Sequence, residues 1–145
     1  MAESRNIIAD GAFLQTLIPQ KRPFVMVDTL TNYTENRIIS EFTITDKNIL
    51  VDEKRFSEPG LIENMAQTIA LHTGYKYYLK KMPAPVGYIG AIKKAEVLEL
   101  PEVSQKLVTT VEILHDIMDV TLVQARVECN GKLIASSEMK TILAS

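Results

Sequence analysis

Two polar residues four positions apart, Glu63 and Gln67, form the pair in this sequence best placed for acid–base chemistry. Residues at this spacing share one face of an α-helix, so Gln67 can hydrogen-bond the Glu63 carboxylate and orient it. A positioned carboxylate can act as a general acid or base. A carboxylate in the first turn of a helix is also stabilised by the helix dipole, so a purely structural role for Glu63 stays open at this point.

The histidines offer Glu63 no obvious partner on its own helix. The chain has two of them, His72 and His115. On a helix, His72 would follow Glu63 by about two and a half turns and ~13 Å, on the opposite side. The pattern around His115 predicts a hairpin turn and a solvated side chain. Asp28 and Arg22 are predicted to form an ion pair at the end of a strand rather than a catalytic pair.

Three further carboxylates, those of Asp52, Glu53 and Glu58, lie just before or at the start of this helix. A carboxylate with an ordinary pKa of about 4 is a weak base for removing a proton from carbon. These residues are therefore remote candidates for a catalytic base.

Composition excludes several other kinds of function. One cysteine and two histidines cannot complete a tetrahedral zinc site without carboxylates, so we expect neither a metal nor another cofactor. The 16 basic and 18 acidic residues leave a net charge of −2, which argues against nucleic acid as a partner. The longest uncharged run, residues 64–75, has 12 residues and is too short to span a membrane. With charged residues also interrupting the N-terminal segment, we expect a cytoplasmic protein.

Hydrophobic periodicity predicts the elements that position these residues. Apolar residues recur with helical spacing from Leu61 to Tyr77, which predicts a helix over residues 60–80. A short helix capped by Asp10 and closed by Pro19 is predicted near the N-terminus. Alternation of apolar and polar residues predicts antiparallel strands over residues 24–31, 37–45, 86–98, 107–113, 123–129 and 133–142.

Turn signals connect these elements into a single α+β domain spanning residues 1–145. Asn130-Gly131 predicts a two-residue hairpin turn, because such a turn requires two consecutive positive φ angles. The hairpin before it is predicted to turn at residues 115–119. Gly90, inside a predicted strand, marks a bulge or a close backbone approach. The sum is one long helix among five or six antiparallel strands, with a sheet that curls around the helix.

Three motifs in register resemble the hotdog-fold FabZ/FabA-like 3-hydroxyacyl-carrier-protein dehydratases. Residues 17–28 resemble a segment that reads leucine, proline, histidine, arginine, any residue, proline, an apolar run and aspartate, with Gln20 in place of the histidine. Pro59-Gly60 and residues 63–67 resemble the start of the central helix in that family. Residues 88–96 resemble the strand that follows. The helix and this strand are most similar to a predicted-dehydratase branch that accompanies aryl-polyene-type lipid clusters in Gram-negative bacteria.

The resemblance implies a hotdog fold, paired subunits and a site for thioesters of acyl carrier protein or coenzyme A. In the family, a histidine acts as base, a helix carboxylate of the other subunit works opposite it, and a backbone N–H at the helix start holds the thioester oxygen. The carboxylate matches Glu63 and the glycine matches Gly60. Gln67 and Gly90 are grouped with Gly60 as substrate-binding candidates. The histidine has no counterpart, because residues 48–56 contain none.

The missing histidine leaves several functions open. The protein could be an active dehydratase with a relocated base, a protein that binds acyl thioesters without converting them, or the non-catalytic half of a heteromeric dehydratase. In the last case a histidine-bearing partner would use Glu63. A hotdog acyl thioesterase, which uses a helix carboxylate to attack the thioester or activate water, is the alternative from another enzyme class.

Overall fold

A computed structural model describes residues 7–144, which form one large antiparallel sheet around a long helix. The helices are α1, Gly11–Thr16, and α2, Glu58–Leu79. The strands are β1 Ala9–Asp10, β2 Thr29–Thr34, β3 Arg37–Thr43, β4 Val51–Asp52, β5 Arg55–Phe56, β6 Gly87–Val97, β7 Lys106–Ile117, β8 Val120–Cys129 and β9 Lys132–Leu143.

The sheet has seven strands in the order β1-β2-β3-β7-β8-β9-β6, and β4 pairs with β5 in a separate two-stranded hairpin. The sheet is therefore larger than the five or six strands predicted. The additional member is β1, a two-residue strand that pairs with β2 at one edge. Such short pairings carry too few residues to show a period in the sequence.

Helix α2 begins and ends close to the predicted limits, and its start has a local explanation. Ser57 occupies the N-cap, and its hydroxyl accepts a hydrogen bond from the backbone N–H of Gly60 at 3.4 Å. Pro59 lies in the first turn, where its missing N–H costs nothing. The helix packs against β3, β7, β8 and β6. This arrangement, a long helix wrapped by an antiparallel sheet, is the hotdog fold.

The buried face of α2 differs from the prediction. We expected Ile62, Met65, Ala66, Ile69 and Ala70 to be nearly fully buried, but only Met65 and Ile69 are. The buried face also includes the polar residues Asn64, Gln67 and Thr68. The helix is rotated so that Ile62, Ala66 and Ala70 stay half-buried, and Ala66 and Ala70 line a cavity between α2 and the start of β6.

Both C-terminal hairpins turn within the residues predicted for them. Asn130 and Gly131 have φ angles of 54° and 76° and form the predicted turn between β8 and β9. The preceding hairpin turns at Met118-Asp119, the last two of the predicted residues 115–119, and both adopt positive φ without a glycine. His115 lies within β7, opposite Leu122, rather than in the turn, and its side chain is exposed as expected.

Residues 24–28 do not form the predicted strand, which starts only at Thr29. Side chains of α2 bind the backbone groups of the first part of this segment. Gln67 binds the carbonyl oxygen of Phe24 and the N–H of Met26, and Asn64 binds the carbonyl oxygen of Met26. Pairing with the sheet begins at Asp28, whose N–H donates to the Glu41 carbonyl of β3 at 2.9 Å.

Gly74 lies where the chain after α1 crosses α2. A Cβ atom at this position would lie 1.9 Å from the carbonyl oxygen of Leu17. The absence of a side chain therefore allows the two backbones to pack in direct contact.

Candidate active site

Glu63 and Gln67 are joined by a hydrogen bond on the first half of α2. Gln67 Nε2 donates to Glu63 Oε2 at 2.7 Å, as the spacing of four residues predicts. Glu63 is half-buried on the open side of the helix, whereas Gln67 is fully buried. The Glu63 carboxylate is therefore accessible to a reactant, while Gln67, which orients it, is buried.

The orientation of the Gln67 carboxamide follows from its other contacts. Its Oε1 accepts from the Met26 N–H at 2.6 Å, and its Nε2 donates to the Phe24 carbonyl at 2.8 Å. A backbone N–H only donates and a carbonyl only accepts, so the amide cannot be flipped. Both of its N–H groups are used, one of them on Glu63 Oε2. The free oxygen for proton transfer is therefore Glu63 Oε1, and Gln67 is better suited to positioning Glu63 than to binding substrate.

A buried polar network continues from this pair into the core. Asn64 Nδ2 donates to the Met26 carbonyl at 2.7 Å, and Asn64 Oδ1 accepts from Thr109 Oγ1 at 2.6 Å. Thr68 Oγ1 donates to the Asn64 carbonyl and lies 2.7 Å from Ser40 Oγ. The network ties α2 to β3, to β7 and to the segment before β2. We did not single out Asn64 from the sequence, because an asparagine within a helix carries no signal of a partner 38 residues earlier.

Gly60 and Gly90 both lie where a side chain would collide with a neighbour. A Cβ at Gly60 would lie 2.6 Å from the Phe56 ring, and its N–H already donates to Ser57. A Cβ at Gly90 would lie 2.9 Å from Ile142, and the β6–β9 register shifts between Ile89 and Ala91, which confirms the predicted bulge. Packing explains both glycines, and their substrate-binding roles stay predictions.

The contacts described for the two histidines and Asp28 do not involve Glu63. His72 is buried, and its Nε2 donates to the Thr34 carbonyl at 2.9 Å while its ring stacks on Tyr33. Asp28 Oδ2 accepts from the Thr43 N–H at 2.7 Å. Burial raises the pKa of the Asp28 carboxyl above its ordinary value, although this hydrogen bond and the nearby Arg22 charge both act to lower it. These contacts give His72 and Asp28 structural roles, but the ion pair predicted between Asp28 and Arg22 is not among those of the described residues, where Arg22 is only a nearby charge.

Burial also lowers the pKa of His72 below its ordinary value of 6.5, despite the hydrogen bond to Thr34. The unfolded chain therefore binds a proton more readily than the folded one. We expect the His72 contribution to the free energy of unfolding to be complete above pH 6.5 and lost as the pH falls towards the folded pKa. Urea denaturation of wild type and His72→Gln at several pH values measures this. The variant should lose less stability on acidification, and parallel pH profiles would contradict the assignment.

An apolar cavity of about 340 Å³ lies between α2, the chain after α1 and the start of β6. Ala66, Ile69 and Ala70 line it from the helix, and Val86 and Tyr88 line it from the β6 side. Glu63 does not line the cavity itself, but it precedes Ala66 by about one turn on the same face of α2. Its size lies in the range of small-molecule sites. No sequence pattern indicated it, because its walls come from segments far apart in the chain.

The described residues contain neither a metal-binding cluster nor a membrane-spanning helix. Between residues 7 and 144, no cluster of three or more histidine, cysteine or acidic side chains could hold a metal ion. None of the helices described here is long and apolar enough to cross a membrane.

The antiparallel sheet around α2 defines a hotdog-fold protein, and its relatives place it in the dehydratase-like, acyl-thioester class. Within that class, residues 13–144 match the ApeP-like family, described as ApeP dehydratase, and the chain belongs to this family.

Individual relatives agree with this assignment. The FabZ 3-hydroxyacyl-[acyl-carrier-protein] dehydratase of Aliivibrio fischeri is 26% identical over 137 residues, which cover 88% of each chain. Among solved structures, the dehydratase heterocomplex ApeI:P from Xenorhabdus doucetiae matches with a TM-score of 0.85 at 14% identity, covering 91% of both chains. A hypothetical thioesterase from Streptococcus pneumoniae with coenzyme A matches with a TM-score of 0.66 at 8% identity, covering 80% of this chain and 84% of that one. The structural matches establish the fold.

Proposed function

We propose that this chain is one subunit of a heteromeric dehydratase that acts in the cytoplasm on 3-hydroxyacyl thioesters of acyl carrier protein, in fatty-acid or polyene-type lipid synthesis. One observation carries the proposal. Glu63 is held by Gln67 on the open side of α2, while both histidines of the chain are placed where they cannot face it. The chain presents half of an acid–base pair.

The chemistry requires a base at carbon 2 and an acid at the 3-hydroxyl. A histidine of the partner subunit takes the proton from carbon 2, the C3–O bond breaks, and Glu63 Oε1 gives its proton to the departing hydroxyl, which leaves as water. Gln67 keeps Oε1 in place by holding the other oxygen. The acyl chain occupies the cavity that begins one helical turn away at Ala66.

Its relatives support this chemistry. FabZ relatives are named as dehydratases of 3-hydroxyacyl carrier-protein thioesters, and one structural neighbour is named as a dehydratase heterocomplex. The experiment is to assay dehydration with this chain alone and mixed with a histidine-bearing dehydratase encoded nearby. Activity that appears only in the mixture supports the proposal. Release of free thiol without dehydration would instead favour the thioesterase alternative.

A partner also accounts for the exposed edge of the sheet. β6 is the last strand, so one of its edges has no strand neighbour, and it exposes Tyr88 (60%), Ile92 (44%) and Ile89 (40%). Ile62 and Ala66 of α2 are also left half-buried. Natural proteins rarely leave a long apolar edge strand uncovered. We infer that a second subunit covers β6 and the open side of α2.

We therefore expect light scattering at micromolar concentration to give at least twice the 16.2 kDa of one chain. Ile92→Lys should weaken the assembly, because it places a charge on the proposed interface. Ile117→Lys is the matched control, since Ile117 is an exposed apolar residue (65%) on a central strand. A monomeric wild type, or equal effects of the two substitutions, would contradict this interface.

A further inference from the structure

Gln20 is a polar residue in the wall of the apolar cavity. It lies on the segment between α1 and Phe24, and it lines the cavity together with Ala66, Ala70 and Tyr88. It is also the position where residues 17–28 carry a carboxamide in place of the imidazole of the motif they resemble.

The Gln20 carboxamide is not used by the fold. Its Oε1 is buried and has no hydrogen-bond partner among the described residues. A buried polar atom without a partner carries a desolvation cost, and such atoms in native proteins call for an explanation. Gln67, by comparison, has partners for both ends of its carboxamide.

A ligand in the cavity provides that explanation. The terminal torsion of a glutamine is broad, so the carboxamide can rotate and turn its oxygen or its nitrogen towards the cavity. The other polar side chains in this wall are the hydroxyls of three threonines and Tyr88, and that of Thr16 already donates to the Phe13 carbonyl at 2.6 Å. Among the described residues of this wall, Gln20 is the one with a buried polar side-chain atom that has no partner.

We infer that Gln20 binds a thioester in the cavity, by accepting a hydrogen bond from a polar hydrogen of the ligand. This inference rests on the proposed function, because it takes the ligand to be an acyl thioester. Two groups of such a ligand carry a suitable hydrogen, the 3-hydroxyl of the acyl chain and the amides of the pantetheine arm. Both are the same chemistry, a neutral donor to a carboxamide oxygen.

The test measures binding of 3-hydroxyoctanoyl-pantetheine and of octanoyl-pantetheine by calorimetry, for wild type and for Gln20→Met. Methionine keeps the length of the side chain and removes its hydrogen-bonding groups. Loss of one neutral hydrogen bond raises Kd about two- to tenfold. A rise for the hydroxylated ligand alone identifies the 3-hydroxyl, and an equal rise for both identifies the pantetheine amide. Gln124→Met is the control, because it makes the same substitution on β8 outside the cavity wall, and it should leave both Kd values unchanged.

Thermal stability distinguishes this role from a structural one. Because Gln20→Met removes a buried oxygen without a partner, the ligand-free variant should melt at the same temperature as wild type or higher. A lower melting temperature would show that Gln20 has a structural partner and would overturn the inference.

Unchanged Kd values for both ligands in Gln20→Met, or a wild type that binds neither ligand, would also overturn the inference. The proposed function is tested separately, by dehydration in the mixture of subunits. That activity can appear when Gln20→Met has no effect, and thioester binding can depend on Gln20 when the mixture is inactive.

Discussion

We expect Glu63→Gln to lower the dehydration rate of the mixed-subunit enzyme by about 10²- to 10⁴-fold, the usual contribution of a general acid or base. This corresponds to about 3–5 kcal/mol of activation free energy. The physical reason is that glutamine cannot give a proton to the departing hydroxyl, although it keeps the shape of the side chain. The assay uses 3-hydroxybutyryl and longer 3-hydroxyacyl carrier-protein substrates.

Glu58→Gln is the matched control for Glu63→Gln. Glu58 is the acidic residue in the first turn of α2, five positions before Glu63, and its side chain is exposed. The helix dipole acts most strongly on the first turn, so a loss that came only from the dipole would be at least as large for Glu58→Gln. If Glu63→Gln has no greater effect than Glu58→Gln, then Glu63 is only a helix-start carboxylate.

This chain alone should be a poor dehydratase, at least 10²-fold below an enzyme that has both groups. Turnover of tens per second by the purified wild type would contradict the proposed division of roles. The base would then have to be sought among Asp52, Glu53, Glu58 and His72 of a second copy, by single substitutions.

Among the glycines that do not have a positive φ angle, Gly74 is the one whose substitution by alanine should lower the free energy of unfolding most. The new Cβ would lie 1.9 Å from the carbonyl oxygen and 2.8 Å from the carbonyl carbon of Leu17, so one backbone must move. Overpacking of this kind costs about 3 kcal/mol or more where a backbone is displaced. Urea denaturation at one fixed protein concentration measures the change.

Gly87→Ala is the control for Gly74→Ala. Its new Cβ would approach Leu143 no closer than 3.5 Å, which is ordinary van der Waals contact. We expect its free energy of unfolding to stay within about 0.5 kcal/mol of wild type. Equal stability of the two variants would show that the crossing of α1 and α2 adapts more easily than the structure indicates. Since Leu17 and Gly74 also line the cavity, Gly74→Ala should weaken thioester binding as well.

The sequence alone determined the elements whose signals are local. The limits of α2 were predicted to within two residues at the start and one at the end, because its apolar residues keep a helical period over five turns. The Asn130-Gly131 turn was also predicted, since it needs two consecutive positive φ angles, and the bulge at Gly90 was predicted from a glycine that interrupts a strand. The contact between Glu63 and Gln67 followed from their spacing on one helix.

Tertiary structure decided what depends on residues far apart in the chain. The rotation of α2 could not be predicted, because its buried face includes Asn64 and Gln67, whose partners lie 38 and 41 residues earlier. For the same reason, residues 24–26 looked like part of a strand but bind a helix. The cavity beside Gln20 depends on three segments that meet only in the folded chain. Periodicity reports which residues avoid water, whereas side-chain hydrogen bonds between distant segments decide which polar residues are buried with them and which are left free for a ligand.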